Sequence, residues 1–510
     1  MSNLQKSIAR HYHDRTKYHP ETIAQKNRNL DWNEQPVPFK EYKIGNTFDL
    51  KPYLSEKFEA SSDPEIGNWR RLSKLLLCSY GLTAKIPTMF GVPIYLRSAP
   101  SAGGLYPAEL YLISRGTPLL PRGLYNYQPQ THSLVNFWED SVWSNLQQAC
   151  FFHPALENTQ LAIVTTAVFY RSAWRYEDRA YRRIFLDTGH LLGNIELASA
   201  INNYQPHLIG GFFDEAIDKL LYLNPDEEGV ITVIALADLF DTKQNVSQSI
   251  AALPSDIHTE YPVVPDGELL YYFHRATRIN SELSTSPENK TEEISLEDKY
   301  NFPFCLKIST QTTAIDWGEN LSGLQDTILK RRSTRAYTSE NLTLEELKAL
   351  LNFTYQPEDY IAQGLNGYPD YFDLNLIQTF VAVSGVTDLE EGCYYYAPKA
   401  QELRQIRFNN FRSDLHFLCL GQDLGRDAGA VVFHTADLNR AVAAWGDRVY
   451  RYLHMDAGHL GQRLNLAAIH LGLGVSGIAG FFDDRVNQVL GIPDDEAVIY
   501  ITTLGRPKKR

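Results

Sequence analysis

The chain has 510 residues, enough for two or three domains, with 44% hydrophobic and 21% charged residues, the balance of a soluble globular protein. Its 48 Lys and Arg against 61 Asp and Glu leave a net charge of −13, which argues against a nucleic-acid-binding face. The five cysteines are odd in number and form no C-x-x-C pair, so neither a zinc site nor a disulfide framework is expected, and reduced thiols in a cytoplasm fit best.

In chain order, residues 1–54 have no apolar core. They cannot be a signal peptide and read as an N-terminal extension without an assigned role. The first predicted helix is NWRRLSKLLLCSYG, at 68–81. The segment RSAPSAGGLYPAELY, at 97–111, is a Gly/Ser/Pro loop running into a strand. A Tyr-rich strand, the apolar strand LAIVTTAVFY, a long helix opening with Asp178-Arg179 and the strand GVITVIALAD complete a first unit, 55–250. Residues 251–318 are rich in Ser, Pro, Asn and Glu and read as a linker. The second unit, 319–510, carries RRSTRAY at 331–337. The helix TLEELKALLNFTY follows, with capping candidates Ser339, Asn341 and Thr343. No apolar run reaches membrane-spanning length, and the scattered histidines imply no metal site.

The two units are copies. Asp178, Arg179, Tyr181, Arg182, Asp187, Gly189, His190 and Leu191 meet Asp447, Arg448, Tyr450, Arg451, Asp456, Gly458, His459 and Leu460 at a constant offset of 269 positions. The same offset sets GFFD at 211–214 on GFFD at 480–483, and GLYNY at 123–127 on GCYYY at 392–396. Strands mixed with long helices predict an α+β sandwich in each copy.

RRSTRAY, with the capped helix after it, resembles the opening motif of the nitroreductase superfamily, whose members are typically FMN-binding homodimers with the flavin at the dimer interface. The resemblance implies that Arg331, Ser333 and Arg335 hold the FMN phosphate and ribityl chain; guanidinium forks match phosphate oxygens. The alternative is a solvated basic helix start. RSAPSAGGLYPAELY is similar to a motif of the azoline-oxidase (SagB/McbC-type) branch, whose Pro-Ser segment reaches the flavin held by the partner subunit. Pro100, Ser101, Ala102 and Gly104 are carried over, against the alternative of an ordinary loop. The N-terminal stretch also resembles the cyanobactin oxidases.

The copies differ reciprocally. At the shared offset, Pro100-Ser101-Ala102-Gly103-Gly104 meets Pro369-Asp370-Tyr371-Phe372-Asp373, too bulky and acidic for a flavin contact. The region before the first helix, SEKFEASSDPEIG, lacks R-x-S-x-R, and its Asp63 and Glu65 would oppose a phosphate. The expectation is one FMN per chain, between the copies, with the second pseudo-symmetric site dead. The resemblance further implies Ile478, Ala479 and Gly480 beside the flavin N5 and O4, or else a Gly-rich helix end. It adds Gln422 at the pyrimidine edge. In the tail LGRPKKR, Arg506 or Lys508 would join the phosphate unless that terminus is solvated.

In the azoline-oxidase branch a Lys-Tyr pair before the long helix is implicated in proton removal. Here it aligns with Arg175-Tyr176. Arginine stays protonated and cannot be the base. Tyr176 is therefore the base candidate, with Arg175 as its electrostatic helper; the alternative is a packing aromatic. The implied reaction is oxidation of thiazoline or oxazoline rings in a heterocyclised ribosomal peptide, with dioxygen as final acceptor. An NAD(P)H-dependent nitroreductase or flavin reductase, and a flavin-free peptide-binding scaffold, are the alternatives. Whether the pseudo-dimer forms a further homodimer is open.

Overall fold

The computed structural model describes residues 6–26, 30–55, 57, 62–87, 93–246, 250–280 and 298–508. Part of the expected linker, 281–297, and part of the acidic segment before the first helix, 58–61, lie outside them.

Each copy builds one seven-stranded antiparallel sheet, and the two sheets have the same strand order. From edge to edge the first runs Asn46–Asp49, Ser133–Trp138, Gly123–Gln128, Ala108–Ser114, Leu161–Val168, Glu228–Asp238, Tyr204–Ile209. The second runs Lys307–Ser309, Glu402–Phe408, Gly392–Ala397, Gln378–Val383, Ala430–Asp437, Glu496–Gly505, Gly474–Ile478. Even the irregularities are duplicated. Register shifts fall at Leu124/Tyr125 and Cys393/Tyr394, and again at Thr165/Thr166 and His434/Thr435. The middle strands are apolar, β-branched and buried on both faces, because helices cover each sheet above and below. The chain is thus two tandem α+β sandwiches packed as an intramolecular pseudo-dimer.

One continuous core joins the copies, while two smaller cores lie under the short helices on the outer faces. At its centre the helices Ala180–Ile201 and Val449–His470 cross. The crossing is at the duplicated glycines. A Cβ on Gly189 would lie 2.2 Å from the Met455 carbonyl oxygen, and one on Gly458 would lie 2.3 Å from that of Leu186. No other residue permits this approach.

The duplicated D-R-x-Y-R and G-F-F-D motifs lock the copies together. Arg179 and Arg182 of the first copy pair with Asp483 of the second, at 2.9 and 2.7 Å. Arg448 and Arg451 pair with Asp214, at 2.8 and 3.0 Å. All six side chains are buried.

The described parts of the extension and the linker each carry a helix that their composition does not predict, and the two helices are counterparts. The helix Ile8–Arg15 and the helix Leu269–Ala276 fill equivalent places in the interface at an offset of 261. Asp447 accepts the Ala9 N–H at 3.1 Å, and Asp178 accepts the Leu270 N–H at 2.9 Å. Arg182 donates to the His13 carbonyl at 2.6 Å, and Arg451 to that of His274 at 2.8 Å. The duplication therefore reaches back to the N-terminal segment, and each copy brings its own strap.

Candidate active site

The arginine cluster is extended chain, not a helix start. It follows the helix Ser322–Lys330 and lies along the strand Gly474–Ile478. The Thr334 N–H donates to the Val475 carbonyl at 2.9 Å, and the Val475 N–H donates to Thr334 Oγ1 at 3.0 Å. Arg331 then reaches into the other copy. Its Nε donates to the Ser98 carbonyl at 2.6 Å and its Nη2 to that of Arg97 at 3.1 Å. Arg332 is anchored on Thr83. So the second copy's clamp meets the first copy's RSAPSAGG loop. Arg331 is buried, and burial lowers its pKa to about 10, which leaves it charged near neutrality. Its Nη1 has no partner among the described residues. Ser333 is half-buried beside it, and Arg335 is exposed.

The loop is held from below by Asp187. Ser101 Oγ donates to its carboxylate at 2.6 Å, the Ala102 N–H donates at 3.1 Å, and Ser101 Oγ in turn accepts the Tyr106 N–H at 2.9 Å. Burial pushes Asp187 up to about 7, against these hydrogen bonds. Gly103 and Gly104 then take left-handed conformations, φ 66° and 67°, which glycine alone adopts cheaply. A Cβ on Gly103 would stand 2.8 Å from the Tyr176 hydroxyl and 3.4 Å from Arg175 Nη1. Tyr176 and Arg175, at the end of the helix Phe169–Tyr176, thus face the small-residue loop.

The second copy's glycine loop closes the same space. The Arg183 guanidinium lies 3.8 Å from the Tyr176 ring centroid. Its Nη2 would be 3.6 Å from a Cβ on Gly480, and Arg179 Nε donates to the Ala479 carbonyl at 3.4 Å. Arg183 Nη1 is buried without a partner among the described residues. Ile478, which ends the strand before this loop, is buried. Two side chains at this place were not singled out from the sequence. One is Arg183, whose counterpart is Tyr452. The other is Tyr500, a polar intrusion in an apolar strand whose counterpart is Ile231. Tyr500 hydrogen-bonds His190 at 2.8 Å and packs under exposed Gly477. His190 also contacts Gln462, at 2.8 Å, and burial lowers it to about 3, so it is neutral. Asp187 and His190 lie three residues apart on one helix, but each side chain is taken up by these other partners.

Two expected residues are engaged elsewhere. Gln422 is exposed and its amide donates to the Cys419 carbonyl of its own turn at 3.0 Å. Arg506 forks onto Glu346 at 2.7 and 2.8 Å, and Lys508 is exposed.

The pseudo-symmetric place is filled. Asp456 accepts the N–H groups of Phe372 and Asp373, at 3.0 and 2.9 Å, as Asp187 holds its own loop. The Phe372 ring stacks on Tyr452 at 4.7 Å, and Tyr371 stacks on His459 at 4.4 Å. Trp445, in the place of Tyr176, donates to Asp373 at 2.8 Å. Leu253 covers Gly211, where a Cβ would meet it at 2.0 Å. Nearby, Glu196, Asp370 and His459 line a cavity of about 10 Å³, room for roughly one water.

The nitroreductase family pattern matches residues 72–237 and 328–506, once in each copy. The chain belongs to the nitroreductase family. Among nitroreductases it is 33% identical over 171 residues to a candidate nitroreductase of Methanocaldococcus jannaschii, a match covering 34% of this chain and 85% of that protein. A crystal structure described as a candidate nitroreductase from Anabaena variabilis ATCC 29413 is 69% identical, with a TM-score of 0.94; the match covers 99% of this chain and 100% of that one. The E. coli microcin synthetase complex with truncated pro-microcin bound matches at 18% identity, over 45% of this chain and 91% of that one. Its TM-score of 0.27 is too low to carry an argument. Family membership makes the chain an oxidoreductase. No described helix is long and apolar enough to cross a membrane.

Proposed function

We propose that this nitroreductase binds one FMN between its copies and oxidises thiazoline or oxazoline rings of a cyanobactin-like ribosomal peptide to thiazoles or oxazoles in the cytoplasm. The observation that carries the reading is the reciprocal asymmetry: clamp, glycine loops and Tyr176 converge on one side of the pseudo-dimer, and aromatic rings fill the other.

The residues fit the cofactor. Arg331, with its buried unpartnered Nη1, would hold the phosphate together with Ser333 and Arg335. Pro100, Ser101, Ala102 and Gly104 would approach the ribityl chain and ring from the first copy, and Ile478, Ala479 and Gly480 from the second. Gln422 and Arg506 would join only by releasing their present partners. FMN supplies the two-electron acceptor for a substrate hydride, with dioxygen as the terminal acceptor.

The protein does the rest. Tyr176, acting as the phenolate, would take the proton from the ring carbon; its side chain faces the loop that would seat the flavin. Arg175 and Arg183 supply positive charge beside the developing anion. One chain supplies both halves of this site. Incubating the purified protein with an azoline-containing peptide tests the reading: the product loses two hydrogens as dioxygen is consumed. Consumption of NADH without any change in the peptide would instead identify a flavin or nitro reductase. Peptide binding with neither reaction would leave a scaffold.

A further inference from the structure

A buried hydrogen-bonded chain runs through the interface on the open side, alternating between the copies. The Asn194 Nδ2 donates to the Ser79 carbonyl at 3.3 Å, and Gln462 Nε2 donates to Asn194 Oδ1 at 2.6 Å. Gln462 Oε1 then meets His190 Nδ1 at 2.8 Å, and His190 Nε2 meets the Tyr500 hydroxyl at 2.8 Å. The first link fixes the direction of all the others. A carbonyl oxygen only accepts, so Asn194 turns its amide nitrogen to Ser79 and its oxygen to Gln462. The Gln462 oxygen is left facing His190, so Nδ1 of that neutral ring carries the proton and Nε2 is bare. Burial first, then the charge of Asp187, raises the Tyr500 phenol, which keeps its proton and directs it at Nε2. The Tyr500 oxygen then has lone pairs left and no hydrogen to offer: it is a fixed acceptor.

That acceptor reaches the candidate site. It stands where a Cβ on exposed Gly477 would stand. Gly461 of the crossing helix makes room for the pair, since a Cβ there would lie 2.6 Å from the Tyr500 ring and 3.2 Å from His190 Cε1. Gly477 is two residues from Val475, which hydrogen-bonds Thr334 of the arginine cluster, and two from Ala479 of the glycine loop. The hydroxyl thus lies between the places given above to the phosphate and to the flavin ring. The closed side gives the control. Ile231, Leu192, Gly193 and Arg463 replace Tyr500, Gly461, Gln462 and Asn194, and only the histidine is kept. That histidine, His459, stacks on Tyr371, and its Nε2 lies 3.6 Å from Glu196.

We propose that Tyr500 is a cofactor-binding residue, its oxygen accepting a hydrogen bond from a hydroxyl of the FMN ribityl chain. This rests on the FMN reading above. The ribityl hydroxyls and the ring N3–H are the donors that FMN offers, and the ribityl chain is the part that joins phosphate to ring. His190, Gln462 and Asn194 are positioning residues that keep the phenolic proton turned away from the ligand.

The test is the affinity of the full-length protein for FMN and its analogues, read from flavin fluorescence. Tyr500→Phe should weaken FMN by about tenfold, the worth of one hydrogen bond. Among the monodeoxyribityl analogues of FMN, one should bind the unsubstituted protein about tenfold more weakly than FMN does, and bind Tyr500→Phe no more weakly than FMN does. N3-methyl FMN should lose equally in both proteins. Before flavin is added, the histidine nitrogen NMR signals that disappear in His190→Gln should show the proton on Nδ1. Unchanged FMN affinity in Tyr500→Phe, additive losses with every deoxy analogue, coupling to N3-methyl FMN instead, or a proton on Nε2 would each overturn the proposal. If the unsubstituted protein binds no FMN, the reading of the site falls with it; normal FMN binding that ignores the substitution sinks only the role of Tyr500.

Discussion

Tyr176 and Asp187 stand close to the same loop and invite opposite treatment. Asp187 has a counterpart, Asp456, that holds the corresponding loop of the closed copy through two N–H groups. A residue kept where aromatic rings fill the corresponding place has a structural part to play. Tyr176 becomes Trp445 there, as expected if its hydroxyl has work on one side only. Tyr176→Phe should lower turnover by about a hundredfold or more while bound flavin, read from the visible spectrum, is retained. Unchanged turnover would remove it from the mechanism. The two carboxyls make a pH prediction. Burial lifts Asp187 and Asp456 to about 7 in the folded state, above the usual carboxylate value of 3.8. The folded chain then holds protons that the unfolded chain has released. Their contribution to stability is present below about pH 4 and lost as pH rises through about 7. Asp456→Asn leaves one N–H unsatisfied and should cost about 1–3 kcal/mol. It should also flatten the decline of melting temperature between those pH values; an undiminished slope would contradict this.

Among the elements, the crossed helices and their buried ion pairs account for most of what the repeat displays. Each Asp pairs with two arginines from the opposite copy, so Asp214→Ala strands Arg448 and Arg451 in a buried interface. The expected loss is about 3–5 kcal/mol, seen as a lower denaturation midpoint, with flavin per folded chain unchanged because Asp214 lies on the closed side. The repeat could be read from the long helices because Gly189/Gly458 and the arginines are fixed by close packing and charge, and such side chains leave few substitutes. The straps could not be read that way. They are held mainly through main-chain N–H and carbonyl groups, as at Ala9 and Leu270, which place little demand on side-chain identity. Tyr12/Phe273, His13/His274 and Thr16/Thr277 do align, but at an offset of 261, hidden behind a polar, Pro-rich composition. Arg183 and Tyr500 were missed because they differ between copies, and a search for sameness passes over them. Gln422 and Arg506 were placed by resemblance, and their local partners depend on neighbours such as Glu346 that sequence order alone does not bring near.

At the scale of the molecule, duplication within one chain lets the halves of a pseudo-dimer specialise. A homodimer must build both of its interface sites from one sequence. Here the first copy keeps the small-residue loop and Tyr176, the second keeps the arginine clamp, and the other site fills with Tyr371, Phe372, Tyr452, Trp445 and Leu253. The central claim is therefore a count. Purified protein reconstituted with excess FMN, freed of unbound cofactor and then denatured, should release about one FMN per chain. A value near two would show that the filled side still binds flavin and would contradict the composite single site.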